Sequence, residues 1–576
     1  MKKIYLSAAA LLACSFLNAQ SAFTWDVTSY KGAFPVTDNT PATDWTSGWA
    51  NWDPENTNYA APTSTITGDI STNTSISGVV YLDGIVHVKN NATLTIAAGT
   101  IIRCRPNDVS LNPGTLVITR GSKIQAQGTA SQPIVFTSNN TVSNGRNPGD
   151  WGGVVILGNG VINTGGVSTN PNVSKVEGFA TTDPLRYYGG TNDADNSGVL
   201  SYVRIEFAGV ALDPLQANSE INGLTLGGVG SGTKIDHVQV SFCGDDAFEW
   251  FGGTVDAKYL IAYRTTDDDF DTDFGFRGRV QFGLAIKDPN LWDAISGGTT
   301  NGIESDNNGT SPYLALPLTK PVFSNFTFIG AKGDGTVYGA GTLPAGEAHE
   351  AFAHIRRNSS HSVFNSLVLG YEKGLRLQGA VTLDNFNSPS TADSVAVIAN
   401  SNITAEIPST FITESATVFT QNWYHTYAAA NNIDTVTTIA QIDFVAAFNA
   451  LGTTSDFRLK ATSTASTGAT FTHPAFVGGF TGINEVSSVI KNSFVLYPNP
   501  ASENTTIAFD IAEKNKVSVS VYDILGNLVS IVSQDNEFEK GNNTFSLNTS
   551  NLSSGIYYIS LEVNGAKETK KLVINK

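Results

Sequence analysis

Residues 245–276 read DDAFEWFGGTVDAKYLIAYRTTDDDFDTDFGF, and the segment matches itself when it is shifted along its own length. At an offset of 22 residues, Asp245-Asp246-Ala247-Phe248-Glu249 falls on Asp267-Asp268-Asp269-Phe270-Asp271. Repeats of this length, with one apolar strand each, read as successive coils of a solenoid, because a single coil cannot bury its apolar face alone. Equivalent residues of adjacent parallel strands lie about 4.8 Å apart. The offset therefore predicts Phe248 stacked on Phe270 in the interior, with Asp246 beside Asp268 and Glu249 beside Asp271.

The same texture extends outward in both directions. From about Gly78 the chain runs through VVYLDGIVHVKN, ATLTIAAGTII, GTLVITRGSKIQAQG, PIVFTSN and WGGVVILGNGVIN, alternating runs punctuated by Gly and Asn. Later units are LSYVRIEFAG (200–209), IDHVQVSFCG (235–244), FSNFTFIG (323–330) and FNSLVLGYEKGLRLQG (364–379). Their spacing is uneven, so long loops leave the coils, among them 286–320 with its NNGTSP turn chemistry. Charged residues make up only 15% of the chain, and its 55 glycines suit strands and turns better than helices. The G-x-L-x-I-x-x-G-S-K-I-x-A-x-G and W-G-G segments resemble those of right-handed parallel β-helix proteins exported by Bacteroidetes. That resemblance implies an all-β fold, a right-handed parallel β-helix over residues 76–400, but not an activity.

Residues 1–20, MKKIYLSAAALLACSFLNAQ, pair a basic start with an apolar stretch and small residues, the pattern of a secretory signal peptide. Leu11-Leu12-Ala13-Cys14 also reads as a lipoprotein cleavage box. No later stretch has the roughly 18 apolar residues of a membrane span. Residues 21–75, rich in tryptophan (Trp25, Trp45, Trp49, Trp52), are expected to cap the solenoid, with aromatic sugar binding as the alternative. Residues 401–485 read as a second cap and linker, in which TIAQIDFVAAFNAL (438–451) has the spacing of a short amphipathic helix covering the last coil.

From Ser493 the composition becomes that of a small β-sandwich. Tyr497-Pro498-Asn499-Pro500, Tyr522-Asp523-Ile524-Leu525-Gly526, Leu552-Ser553-Ser554-Gly555-Ile556-Tyr557-Tyr558 and the final KKLVINK together resemble the type A C-terminal sorting domain of the type IX secretion system. The resemblance covers 493–576 and implies Sec-dependent export, then type IX secretion, with that machinery as a partner. It assigns the sorting signal to Tyr497, Pro498, Asn499, Pro500, Gly526, Gly555 and Tyr557.

The chain carries a net charge of −17, which repels nucleic acid and anionic lipid and attracts cations. Beyond the leader only Cys104 and Cys243 remain, enough for one bridge or two buried thiols. Stacked carboxylates repel unless protonated or bridged. Asp245, Asp246, Glu249, Asp267, Asp268 and Asp271 offer only oxygen, so calcium with a structural role is the expected metal.

An enzyme would use the same acids. Gly244-Asp245-Asp246 resembles the aspartate pair of polygalacturonases, which implies one carboxylate as general acid and another activating water; the candidates for an enzyme are Asp245, Asp246 and Asp268. That family's N-T-D, H-G and R-I-K landmarks are missing from the corresponding positions. A lyase would pair calcium at Asp246 or Asp268 with Arg264, Arg277 or Arg279 as base, yet these arginines are expected to pair with the neighbouring aspartates. His349-Glu350-Ala351-Phe352-Ala353-His354 is not a zinc-protease helix, since its histidines stand five apart where one helix face requires four. Arg356, Arg357, Lys373 and Arg376 suit an anion groove or a solvated edge equally. The reading is a secreted or cell-surface protein that binds carbohydrate or another surface ligand. A hydrolase or lyase, or a purely structural surface protein, are the alternatives.

Overall fold

The structure is a computed structural model. It describes residues 23–576 apart from 38–43, 108–111, 165–171, 180–182, 211–219, 294–298, 312, 334–348, 372, 388–395, 397, 400, 405–426, 428–430, 436–437, 448–454, 478–489, 512–513, 524–527 and 564–565. The proposed signal peptide, the cleavage box at Cys14 and Gly526 lie outside the described residues. The chain divides into two compact units, 1–471 and 472–576.

The first unit is a parallel β-helix. Nine strands, from Ile85–Val88 to Lys373–Leu377, form one parallel sheet, and the remaining solenoid strands, Ser64–Thr67 to Asn402–Thr404, form a second, bent one. The offset of 22 is realised in the hydrogen-bonded register, where Phe248 pairs with Phe270 and Glu249 with Asp271. Phe248 and Phe270 are fully buried, their rings stacked at 5.4 Å with 11° between planes. The W-G-G segment has a packing reason. Trp151 is fully buried and donates its indole N–H to the Glu206 carbonyl at 2.7 Å, while a Cβ on Gly152 would meet Thr115 Oγ1 at 2.0 Å.

The bend of the second sheet rests on six residues, of which only the two asparagines are of a type that marks such a corner in sequence. Tyr202, His237, Tyr259, Phe282, Asn325 and Asn365 each interrupt the ladder at the same place in consecutive coils, and all have φ between 51° and 63°. Such a conformation costs a non-glycine residue roughly 1–2 kcal/mol. The stacking of Tyr202 on His237 at 4.2 Å, His237 on Tyr259 at 4.4 Å and Tyr259 on Phe282 at 5.0 Å offsets it.

The N-terminal tryptophans do not cap an end. The described residues of 26–60 form a strap along the flank of the solenoid, which follows the coils from Gln281 at Asp26 to Asn365 at Gly32 and from there runs back against their order. Gly32 N–H donates to the Asn365 carbonyl, Ala33 N–H to Thr327 Oγ1, and Ala60 offers its carbonyl to Arg103 far up the stack. Two fully buried glutamines hold it as strand backbone would. Gln281 accepts from Asp26 N–H at 2.9 Å and donates to the Asp26 carbonyl at 2.8 Å, and Gln239 does the same to Asn51 at 2.8 and 2.7 Å. Trp45 and Trp49 pack on the Tyr202–His237–Tyr259 column and Trp52 on Tyr263. Their apolar bulk thus pins the strap to the flank.

Of the helix expected over 438–451, residues 448–451 lie outside the described residues, and the described part holds a single turn, Ile439–Ile442. Asp443 then adopts φ 48°, and Phe444–Ala446 pairs antiparallel with Asp456–Leu459. The apolar residues after the turn serve a strand, and Phe457 packs on Phe34 and Trp52 of the strap. Cys104 and Cys243 are free, buried thiols.

The second unit contains a three-stranded and a four-stranded antiparallel sheet. Phe494, Ile507 and Phe509 of the first and Val517, Val519, Ile559 and Leu561 of the second share one core, which is the expected sandwich. Tyr497 is exposed, and Asn499 clasps the last strand, donating to the Lys571 carbonyl and accepting from Val573 N–H. Gly555 opens the strand opposite Ile574, and Tyr557 is partly buried against the core.

Two stability changes are expected. Phe248→Ala removes a fully buried ring and should cost about 3–5 kcal/mol in denaturant unfolding; a loss under about 1 kcal/mol would contradict the stacked register. Gln239→Ala combined with Gln281→Ala leaves strap amides and carbonyls without their partners, at about 1–3 kcal/mol each. Limited proteolysis should then cut within 26–60 while the far-ultraviolet circular dichroism is unchanged. Equal protease resistance in the double variant would rule out the clamp.

Candidate functional site

The acids of the quoted stretch lie on the nine-stranded sheet, where strands Leu224–Gly227, Phe248–Phe251, Phe270–Asp273, Ile303–Ser305, Ala351–Ile355 and Lys373–Leu377 are successive neighbours. Alternation sends Phe248, Trp250, Phe270 and Thr272 inward, all fully buried, and places the residues between them on the opposite face. One register row of that face reads Thr225, Glu249, Asp271, Glu304, His354, Arg376. Acid thus occupies its middle and base its end.

Just before these strands the acids stack again. Asp268 N–H donates to Asp246 Oδ1 at 2.9 Å, and Asp268 in turn accepts from Asn301 N–H. Two groups have carboxylate oxygens that all lie within 4.8 Å of one another: Asp245, Asp246 and Asp267, and Asp246, Glu249 and Asp271. The six acids named from sequence are therefore brought together, with five in the two groups and Asp268 held by backbone beside them.

Their electrostatics follow from burial and like charge. Burial, then repulsion from Asp245, Asp267, Asp268 and Asp271, raises the Asp246 carboxyl well above the usual carboxylate range. Burial and Glu177 do the same to Glu249, and burial and Glu304 to Asp271. Asp268 is pushed up to about 8 by burial and Glu304, against the pull of Lys287. Burial raises Asp269 to about 6, although Lys287 ion-pairs with it at 3.1 Å. Glu304 runs the other way: burial opposes its ionisation, but His354 and Arg356 outweigh it and hold the pKa below the ordinary value.

Sequence reasoning missed three members of this site. Glu177 and Asn222 come from the insertions on either side of strand Gly198–Glu206, and Glu304 from the coil after Asp271. Asn222, 1% exposed, donates its amide to both Glu249 and Glu177, the latter at 3.4 Å. No local signal marks Glu177 or Asn222, whereas Glu304 is legible once the row of Glu249 and Asp271 is extended by one coil.

The basic residues have other partners than expected. Arg264 pairs with Asp288 and Glu55, Arg277 with Asp193 at 2.8 Å and Arg279 with Asp256 at 2.6 Å, so none is placed on the acid cluster as a base. Arg356 pairs with Glu304 and Asp306, Arg357 with Asp306, and Lys373 and Arg376 with Glu350. The edge where they stand is thereby a mixed-charge surface rather than an anion groove. His349 and His354 belong to a strand region and do not converge: burial lowers His349 to about 4, while His354 lies 3.3 Å from Glu304. A separate cavity of about 500 Å³ on the flank is lined by Asp44, Trp45, Ser47, Ala130, Tyr202, His237 and Tyr259, away from the acids.

Comparison with known protein families agrees with this architecture. Residues 65–442 match the model of a pectate-lyase-like β-helix domain, and residues 495–575 match that of a secretion system C-terminal sorting domain. No curated protein matches the chain. Among solved structures the full-length tailspike protein 2 of Escherichia coli O157:H7 bacteriophage CAB120 aligns at 10% identity and a TM-score of 0.23. That alignment covers 87% of this chain and 64% of the tailspike, so the chain spans less than two thirds of its length. Among the described residues no helix is long and apolar enough to cross a membrane.

The raised carboxyls predict an inverted pH dependence in chelating buffer. A carboxyl whose folded pKa lies above its unfolded value of about 4 binds more protons folded than unfolded, so its ionisation opposes folding. With Asp268 at about 8, stability should be greatest near pH 4–5 and be lost as pH rises to 8. Asp268→Asn should flatten that slope in thermal melts from pH 5 to 8. A melting temperature that rises with pH over this range would contradict the buried, mutually repelling arrangement.

Proposed function

We propose a carbohydrate-binding function for this chain, which belongs to the pectate-lyase-like β-helix family and is exported through the type IX secretion system to the cell surface or beyond. The observation that carries the reading is the single register row from Thr225 to Arg376, one side chain per coil at strand spacing. A row of this kind meets an extended polymer at regular intervals. Its carboxylates accept from hydroxyl groups, and its guanidinium and imidazole groups donate to ring and hydroxyl oxygens. Asp271 and Glu304 are only partly buried, as are Arg356 and Arg357 beside them, so the row has a wet edge. The ion pairs already formed there keep the unliganded face compatible with water.

One observation favours a second reading, a polysaccharide-cleaving enzyme. The Asn222 amide joins Glu177 and Glu249, and burial raises both carboxyls. A neighbouring pair of this kind holds one proton between two groups, as general acid–base work on a glycosidic bond requires. Binding is preferred because the pair sits under an amide that satisfies it.

Affinity electrophoresis and calorimetry of the mature protein against neutral and uronic polysaccharides decide between the two. Binding is expected without new reducing ends and without the absorbance of an unsaturated product, and Glu304→Gln or Arg376→Ala should weaken it about tenfold, as loss of one charge-assisted contact implies. Turnover abolished by Glu177→Gln would establish the enzyme instead. Failure to bind any member of the panel would defeat both.

A further inference from the structure

The flank cavity of about 500 Å³ lies on the second sheet, away from the row of acids, between Asp44 and Ser47 of the strap and Ala130, Tyr202 and His237 of the coils. One wall is the aromatic column. His237 stacks on Tyr202 with 14° between planes and on Tyr259 with 22°, and its Nδ1 is tied to Asp236 at 3.0 Å.

The column ends at this cavity. Phe282, Tyr259, His237 and Tyr202 succeed one another coil by coil. The preceding coil answers Tyr202 with the connection between Gln127 and Ile134, and Ala130 of that connection lines the cavity in place of a further ring. Trp49 does not cover the vacant side. It stands 5.9 Å from Tyr202 and 5.7 Å from His237, nearly perpendicular to both, and a ring at equal distance from two stacked rings lies beside the stack, not above its end. Among the described residues, one face of Tyr202 therefore has no ring stacked on it. Tyr202 also keeps φ 53° where later coils use Asn325 and Asn365, so the corner bears a strain that asparagine would lessen. Opposite stands a fixed acceptor. Asp44 Oδ1 accepts from the Thr46 N–H at 2.9 Å and the Thr46 hydroxyl at 2.7 Å, and its Oδ2 has no partner among the described residues.

We propose that this cavity is a sugar site separate from the row, in which a neutral pyranose lays its C–H face on Tyr202 and donates hydroxyl hydrogens to Asp44. An aromatic face beside an acceptor-only carboxylate selects a ligand that is apolar on one side and rich in donors at its rim, which a pyranose is and a flat aromatic is not. A uronate would set its own charge against Asp44 and Asp236. The volume falls within the range of small-ligand sites. The ring, the loop and the carboxylate are all held by contacts within the protein, so little order is lost on binding.

The full-length protein is titrated with the methyl glycosides of glucose, galactose and mannose, with maltose and cellobiose, and with galacturonic acid, by calorimetry and saturation-transfer NMR. A neutral sugar is expected to bind, with saturation strongest at its ring C–H protons, and galacturonic acid is not. Ala130→Phe supplies a ring to the vacant face and should abolish binding. Tyr202→Asn keeps a residue suited to the corner but loses the platform, and Asp44→Asn keeps the turn but loses the charge; each should weaken binding about tenfold. Circular dichroism shows whether each variant folds, and if Tyr202→Asn does not, Ala130→Phe decides alone. No binding by any neutral sugar of the panel, galacturonic acid bound as tightly, or affinity that survives Ala130→Phe overturns the proposal. Binding removed by Glu304→Gln and kept by Ala130→Phe would place the sugar on the row, so the flank site would fall while the row reading stood.

Discussion

The parallel hydrogen-bonded register between coils is the constraint from which the rest of the solenoid follows. Once Phe248 is paired with Phe270, every neighbour in the two strands is paired as well. Inside, that forced coincidence is favourable: aromatic rests on aromatic and the buried column gains both area and ring stacking. On the other face the same geometry sets carboxylate on carboxylate, where repulsion and desolvation add. One ladder of backbone hydrogen bonds thus produces the most stabilising and the most costly contacts of the fold, and a sequence that retains the costly ones spends stability at that place.

Much of this was legible from one offset. The 22-residue self-match implied the solenoid, the Phe248–Phe270 stack and the meeting of Asp246 with Asp268, because a regular repeat turns sequence position directly into spatial position. The sorting sandwich was legible for the same reason at shorter range, through alternation and turn residues. What escaped was whatever depends on insertions or on backbone conformation without a residue signature. Glu177 and Asn222 enter the site from loops whose paths no periodicity fixes. The left-handed corners are occupied by Tyr202, His237 and Tyr259, where glycine or asparagine is the usual signal. The N-terminal tryptophans look alike whether they cover an end or a flank, and only the partners of Gln239 and Gln281 distinguish the two. The short helix failed because helical spacing within a few residues also suits one turn followed by a strand.

The polar face changes character along its length. Between Glu249 and Asp271 the row is uniformly acidic, and from Glu304 onward carboxylate, imidazole and guanidinium alternate and pair. The first half is an unsatisfied field and the second a nearly neutral one. A long ligand laid across both would meet groups that demand charge and then groups that merely match it, which separates the electrostatic part of recognition from the directional part.

The strap carries a consequence for the order of assembly. Its anchors join residues 255 and 294 positions apart in the chain, from Asp26 to Gln281 and from Ala33 to Thr327. Coils form by local propagation, each on its predecessor, but a segment that crosses many coils has no docking surface until the last of them exists. The earliest part of the β-helix unit to be synthesised therefore finds its place late. Until then the flank displays buried-type glutamines and an aromatic column to solvent, so a chain whose N-terminal segment is still undocked is chemically distinguishable from a finished one, a difference that chaperones and proteases are equipped to read.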